Sequence, residues 1–252
     1  MIYFVGAGCG AKDLITVRGA ELLKKADAVI YTGSLVNPAL LDYAKPICET
    51  FNSAEMTLDE VIAVMERMEA DGKLTVRLHT GDPSLFGAIR EQMDRLDRLN
   101  IPYEVCPGVS SFCGAAAALK AEYTLPAVSQ SVVVTRMAGK TPVPERESIR
   151  SFAAHRATMV IFLSAGLTES LQKELLAGGY AAETPAAIVY KASWPEEKIV
   201  RCTVGTLHQA AAESGIENHA LIAVGGFLGD DYELSKLYDP TFTTAFRQGE
   251  KR

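Results

Sequence analysis

The 252-residue chain has no HExxH, no GxSxG and no Walker A sequence. Their absence removes the zinc-protease, serine-hydrolase and P-loop routes to chemistry. The five cysteines (Cys9, Cys48, Cys106, Cys113 and Cys202) are odd in number and form no CxxC pair, and the four histidines are scattered. Such spacing supplies neither a structural zinc site nor a disulfide framework, and no metal is expected; a reducing cytoplasm fits it. No apolar run reaches the roughly 18 residues that a membrane span needs. The chain opens directly on a strand, Ile2-Tyr3-Phe4-Val5, with no basic leader. A net charge of −6 speaks against a broad nucleic-acid surface. His79, His155, His208 and His219 sit in unrelated contexts, so chemistry needing little side-chain acid–base help is expected, and no catalytic residue is assigned.

What is present is an ordinary globular composition, 48% hydrophobic and 22% charged, enough for a sizeable core. Apolar, β-branched runs predict strands at 2–5, 27–31, 74–79, 103–106, 131–135, 158–163, 186–190, 199–204 and 220–225. Between them lie helical patterns. The clearest is 57–70, where Thr57 and Glu60 form a capping box and Leu58, Val61, Ile62, Met65 and Met68 make one apolar face. Alternation of strand and helix in the first half predicts an α/β fold with a largely parallel sheet covered on both faces. Pro126 and the polar run Ser129-Gln130-Ser131 interrupt that pattern. Two α/β domains are therefore expected, 1–125 with glycine-rich loops and 126–252 with a mixed sheet. The stretch from about Asp230 reads as irregular.

Four loops carry the chemistry-bearing residues. Gly6-Ala7-Gly8-Cys9-Gly10-Ala11 follows the first strand and formally satisfies the dinucleotide fingerprint GxGxxG/A. That fingerprint also requires an acid at the end of the next strand, where this chain has Tyr31-Thr32-Gly33. A tight turn with close backbone approach is the remaining reason for the glycines. Gly81-Asp82-Pro83 ends a buried strand, where ligands bind in open α/β sheets. Asp82 with Pro83 equally suits a helix N-cap and first helical residue. Cys106-Pro107-Gly108-Val109-Ser110-Ser111 offers two hydroxyls before an Ala-rich helix, as ligand contacts or as caps. Thr135-Arg136-Met137-Ala138-Gly139-Lys140-Thr141-Pro142 flanks a glycine with two cations, suited to an anion or to solvent. Around Trp194, Lys191, Lys198 and Arg201 form another cationic group. It would meet ligand carboxylates or pair with Glu196 and Glu197.

Together these segments resemble the tetrapyrrole methylases, the S-adenosylmethionine-dependent methyltransferases of cobalamin and sirohaem synthesis. The family-level match is carried by Gly6–Gly10 with Asp13–Val17, by Val76–Pro83 and by Pro107–Ser111. Thr135–Glu145 and Val189–Arg201 point to the branch that methylates carbon 11 of precorrin-4 or cobalt-precorrin-4. The resemblance covers residues 1 to about 228. It implies two α/β domains with a cofactor-binding cleft between them, a homodimer, and S-adenosylmethionine as methyl donor. It further implies cofactor contacts at Cys9, Gly81, Asp82, Leu85, Ser110, Ser111, Leu163 and Ala187. The acidic side chains of a tetrapyrrole substrate would meet Arg136, Lys140, Lys191 and Arg201. In one place the chain departs from the family pattern. The family usually reads Gly-Ala-Gly-Pro-Gly-Asp, and Cys9 and Ala11 replace the proline and the acid. No role of that acidic side chain can transfer.

Overall fold

The computed structural model describes residues 1–250, apart from the side chain of Ser34. The chain folds as two compact units. The first comprises Met1–Ala115 with Lys191–Glu197, and the second Ala116–Tyr190 with the chain from Lys198 onward.

The first unit runs β1 (Ile2–Gly6), α1 (Val17–Lys25), β2 (Ala28–Tyr31), β3 (Glu49–Asn52), α2 (Leu58–Ala70), β4 (Thr75–His79), α3 (Ile89–Arg98) and β5 (Tyr103–Cys106), and enters α4 (Ser111–Leu119). Its strands lie in the order β3-β2-β4-β1-β5, every neighbouring pair parallel. Both faces are buried, as an all-parallel sheet requires. Val5, Leu23, Val29, Leu40 and Leu78 pack on one face; Ile2, Phe4, Ile30, Ile62, Met65 and Leu96 pack on the other. Helix α2 starts as its sequence dictates. Thr57 Oγ1 accepts from the Glu60 amide at 3.3 Å while Glu60 Oε2 accepts from the Thr57 amide at 2.7 Å. Strand β3 escapes the apolar-run reading because Glu49-Thr50-Phe51-Asn52 is short and polar. It is an edge strand, held by its ladder to β2.

The second unit runs β6 (Val132–Arg136), α5 (Ile149–Ala153), β7 (Thr158–Phe162), α6 (Thr168–Gly178), β8 (Pro185–Tyr190), β9 (Lys198–Thr203), α7 (Leu207–Ser214) and β10 (Ala220–Val224). Its sheet, β6-β7-β10-β8-β9, is mixed: β6 and β7 are parallel, and the other neighbours are antiparallel.

The expected division at 125/126 and the observed one differ in two places. The first unit ends ten residues earlier, inside α4, and it takes in 191–197, the connection between β8 and β9. Local interactions explain the second difference. The Ala11 amide donates to Ser193 Oγ at 2.9 Å, and a Cβ on Gly10 would lie 2.2 Å from Trp194 Cδ1. A connection that looks like part of the second half in sequence is held by the first glycine loop.

Candidate active site

Three of the four loops meet at the carboxyl end of the first sheet. Gly8 and Gly81 pair through both main-chain groups, at 3.2 and 2.9 Å. The Ala7 amide donates to the His79 carbonyl at 2.7 Å. A Cβ added to Gly108 would lie 2.2 Å from the Gly81 oxygen and 2.7 Å from Gly6 Cα. No side-chain atom fits that junction, so the glycines serve close backbone approach.

Asp82 locks the junction. Its Oδ2 accepts from the Gly108 amide at 2.9 Å, and Oδ1 accepts from the Ser84 amide at 2.9 Å and from Ser84 Oγ at 2.5 Å. Burial works against the charged carboxylate. The Ser84 hydroxyl and the two amides outweigh it and hold the group below the usual carboxylate range. The helix-cap reading of Asp82 is corrected here: no helix starts at Pro83. Residues 83–86 form a turn, and α3 begins only at Ile89, behind a left-handed Ala88. The carboxylate ties one loop to another instead.

Around this junction two hydroxyls are aimed away from any protein partner. Ser110 Oγ and Thr80 Oγ1 are buried and make no hydrogen bond. Buried polar atoms are nearly always paired, so such a pair at a strand-end junction fits a polar ligand. Ser110 is 6% exposed, and Ser111 opens α4. Leu85 is half-buried in the turn after Asp82. Cys9 is buried with its Sγ 3.5 Å from Ser193 Oγ. Ser193, Trp194 and Thr80 belong to this arrangement; they lie within the Val76–Pro83 and Val189–Arg201 segments but carried no site role in sequence.

The first loop is not a dinucleotide cradle. Such a cradle places its pyrophosphate at a helix N-terminus directly after the glycines. Here a short 3-10 turn, Lys12–Leu14, follows, and α1 begins at Val17 with Thr16 as its cap.

In the second unit, the loops after β6 and β7 are joined through Ser164. Its buried hydroxyl accepts from the Met137 amide at 2.9 Å and donates to the Phe162 carbonyl at 2.6 Å. Leu163, beside it, is 63% exposed and held at φ 52°, a conformation that non-glycine residues adopt at a cost. It can offer its side chain to a ligand. Ala187 is fully buried in the middle of β8, in register with Ala223 and Arg201.

The expected cations have separate surroundings. Arg136 donates to the carbonyls of Met137, Thr141 and Pro142, at 3.1, 3.3 and 2.8 Å, and so shapes its own loop. Lys140 is exposed on that loop. Lys191 lies 3.3 Å from Glu196 and 5.1 Å from the centroid of the Trp194 ring. Arg201 donates to the Leu119 carbonyl at 3.1 Å.

Comparison with known proteins agrees with this geometry. The family model for tetrapyrrole (corrin/porphyrin) methylases matches residues 1–208. A cobalt-precorrin-4 C(11)-methyltransferase of Methanocaldococcus jannaschii is 49% identical, the match spanning 100% of this chain and 97% of that one. A precorrin-4 C(11)-methyltransferase of Sinorhizobium sp is 44% identical over 98% of each. A crystal structure of cobalt-precorrin-4 methyltransferase superimposes with a TM-score of 0.89 at 45% identity, over 91% of this chain and 96% of that one. The Thermus thermophilus uroporphyrin-III C-methyltransferase complexed with S-adenosylhomocysteine gives a TM-score of 0.76 at 28% identity, over 90% and 98%. With glycine loops that exclude a dinucleotide, a carboxylate that pins them and a family match over most of its length, the chain belongs to the tetrapyrrole (corrin/porphyrin) methylases.

Proposed function

We propose that the protein transfers a methyl group from S-adenosylmethionine to carbon 11 of precorrin-4 or cobalt-precorrin-4, in cobalamin biosynthesis. The observation that carries this is near-end-to-end identity of 49% and 47% with two enzymes that bear that C(11) name. The strand-end junction supports the methyl-donor half of the reading: Ser110 and Thr80 hydroxyls without partners, beside the main chain of Gly81, suit the polar groups of the donor. Bound S-adenosylmethionine supplies a methyl group already activated on a sulfonium. What remains for the protein is alignment and exclusion of water, worth roughly 7–11 kcal/mol. Gly81, Asp82, Leu85, Ser110 and Ser111 hold the donor, with Cys9 buried in the first loop against Ser193, and Leu163 has an exposed side chain free to meet a ligand. Asp82 is occupied by three donors and acts as a fixing residue. Lys140, Lys191 and Arg201 meet acidic side chains of the macrocycle by charge-assisted bonds, and Arg136 keeps the Lys140 loop in shape. A homodimer is part of the proposal, consistent with the exposure of Val17 and Ile47. So is a cytoplasmic setting, consistent with five free cysteines.

Calorimetric titration with S-adenosylhomocysteine, with NADH as the control ligand, tests the reading. Saturable binding of the first and none of the second is expected; NADH binding alone would overturn it. Methyl transfer to precorrin-4 and to its cobalt form, with the product carbon located by NMR, tests the substrate. In Asp82→Asn an amide N–H replaces one of the acceptors facing Gly108 and Ser84. Affinity for S-adenosylhomocysteine is expected to fall about tenfold, the loss of one charge-assisted bond. Unaltered affinity in that variant would remove Asp82 from the site.

A further inference from the structure

The donor loop is fixed at both ends, and the far end is fixed from inside the core. Arg77 and Gln92 are 6% and 5% exposed, on the sheet face that also carries Ile2, Phe4, Ile30 and Leu96 and, along β4, the buried Thr75 and His79. The Arg77 Nε donates to Gln92 Oε1 at 3.0 Å, and its Nη1 donates to the Ile30 carbonyl at 3.2 Å. The Gln92 Nε2 donates in turn to the Ala88 carbonyl at 3.1 Å. Burial pushes the Arg77 guanidinium down to about 10, so it still carries its charge at neutral pH.

This cation meets an amide and a carbonyl where a carboxylate would have stabilised it better. A buried charge of that kind is a poor device for stability; apolar side chains of similar volume usually do as well or better. It does impose direction. A guanidinium only donates, so Gln92 must present its oxygen to Arg77 and its NH2 to Ala88. The bond to a charged donor also polarises the amide and strengthens its outgoing N–H. The recipient needs holding. Ala88 sits at φ 49° and Phe86 at φ 55°, two non-glycine residues in the left-handed region within one loop.

We propose that Arg77 and Gln92 are positioning residues for the methyl donor, acting through the Ala88 carbonyl to set the path of the loop Gly81–Ala88 that Asp82 fixes at its other end. This rests on the reading of that loop as part of the donor site.

Two variants test it, each followed by calorimetry with S-adenosylhomocysteine and by urea unfolding. Arg77→Met/Gln92→Met replaces the whole relay by apolar side chains. Its unfolding midpoint is expected to equal or exceed the parent's, while the dissociation constant rises at least tenfold. Gln92→Glu keeps an acceptor for Arg77, now as an ion pair, but turns a carboxylate oxygen toward Ala88. It too is expected to stay folded and to bind at least tenfold more weakly. A purely structural role would couple affinity to stability; positioning separates them. Should the double variant fail to fold, Gln92→Glu decides alone. If the parent binds and a folded variant binds equally well, the inference is overturned while the donor site stands. If the folded parent binds no S-adenosylhomocysteine, the reading beneath falls and takes the inference with it.

Discussion

Gly108→Ala is expected to abolish measurable binding of S-adenosylhomocysteine, a loss of a hundredfold or more, and to lower unfolding free energy by about 1–3 kcal/mol. The reason is space. The added Cβ would stand 2.2 Å from the Gly81 oxygen and 2.7 Å from Gly6 Cα, where ordinary contact needs well over 3 Å. The three nearest atoms are all main chain, so no side chain there can swing aside. Relief requires the third loop to lift off the first two. That movement breaks the 2.9 Å bond from the Gly108 amide to Asp82 and shifts Ser110, two residues on. Gly6→Ala meets the same obstacle from the other side, 2.5 Å from Gly108 Cα, and should behave alike. Calorimetry and urea unfolding on the two variants measure both effects. Parental affinity in a folded Gly108→Ala protein would mean that the loops need not touch for the donor to bind.

The second large effect is in acid. His79 is buried beside Arg77, its ring centroid 6.0 Å from that of Phe4. Its Nε2 has no hydrogen-bond partner. Burial first, and then the Arg77 charge, push the imidazole from the ordinary 6.5 down to about 3. Between those values the unfolded chain takes up a proton that the folded chain refuses. The stabilising contribution is therefore complete above about pH 6.5 and drains as pH falls toward 3, at up to about 1.4 kcal/mol per pH unit. His79→Phe keeps an aromatic ring against Phe4 and removes the orphaned nitrogen. Near pH 7 it should be close to neutral or stabilising. Between pH 6 and 4 its urea midpoint should fall less steeply than the parent's, by that slope. Parallel curves would show that His79 takes no part in acid sensitivity.

Tetrapyrrole-methylase loops were legible because their chemistry is local. A glycine run after a strand, a Gly-Asp-Pro turn and a Gly-Val-Ser-Ser turn each announce themselves within a few residues. The capping box of Thr57 and Glu60 and the core places of Met65 and Met68 followed from helical period alone. The missing acid after β2 already argued against a dinucleotide, and the late start of α1 gave the geometric reason. Contacts between distant segments were not legible. In sequence Asp82 suits a helix cap as well as a ligand contact, because Asp-Pro so often opens a helix. Only the fold places Gly108 against it, 26 residues on. Ala187 enters only by resemblance, and its full burial in the middle of β8 is visible only in the fold.

By itself, then, the order of residues determined the strands with apolar runs, the helix periods and the turn chemistry, since each depends on neighbours a few residues apart. Tertiary structure decided which backbones touch, where Glu49–Asn52 pairs, that 191–197 belongs with the first glycine loop, and that Arg77 in the core reaches Ala88 through Gln92. Those outcomes depend on residues brought together across long stretches of chain, where packing and hydrogen-bond satisfaction, not local propensity, choose the partner.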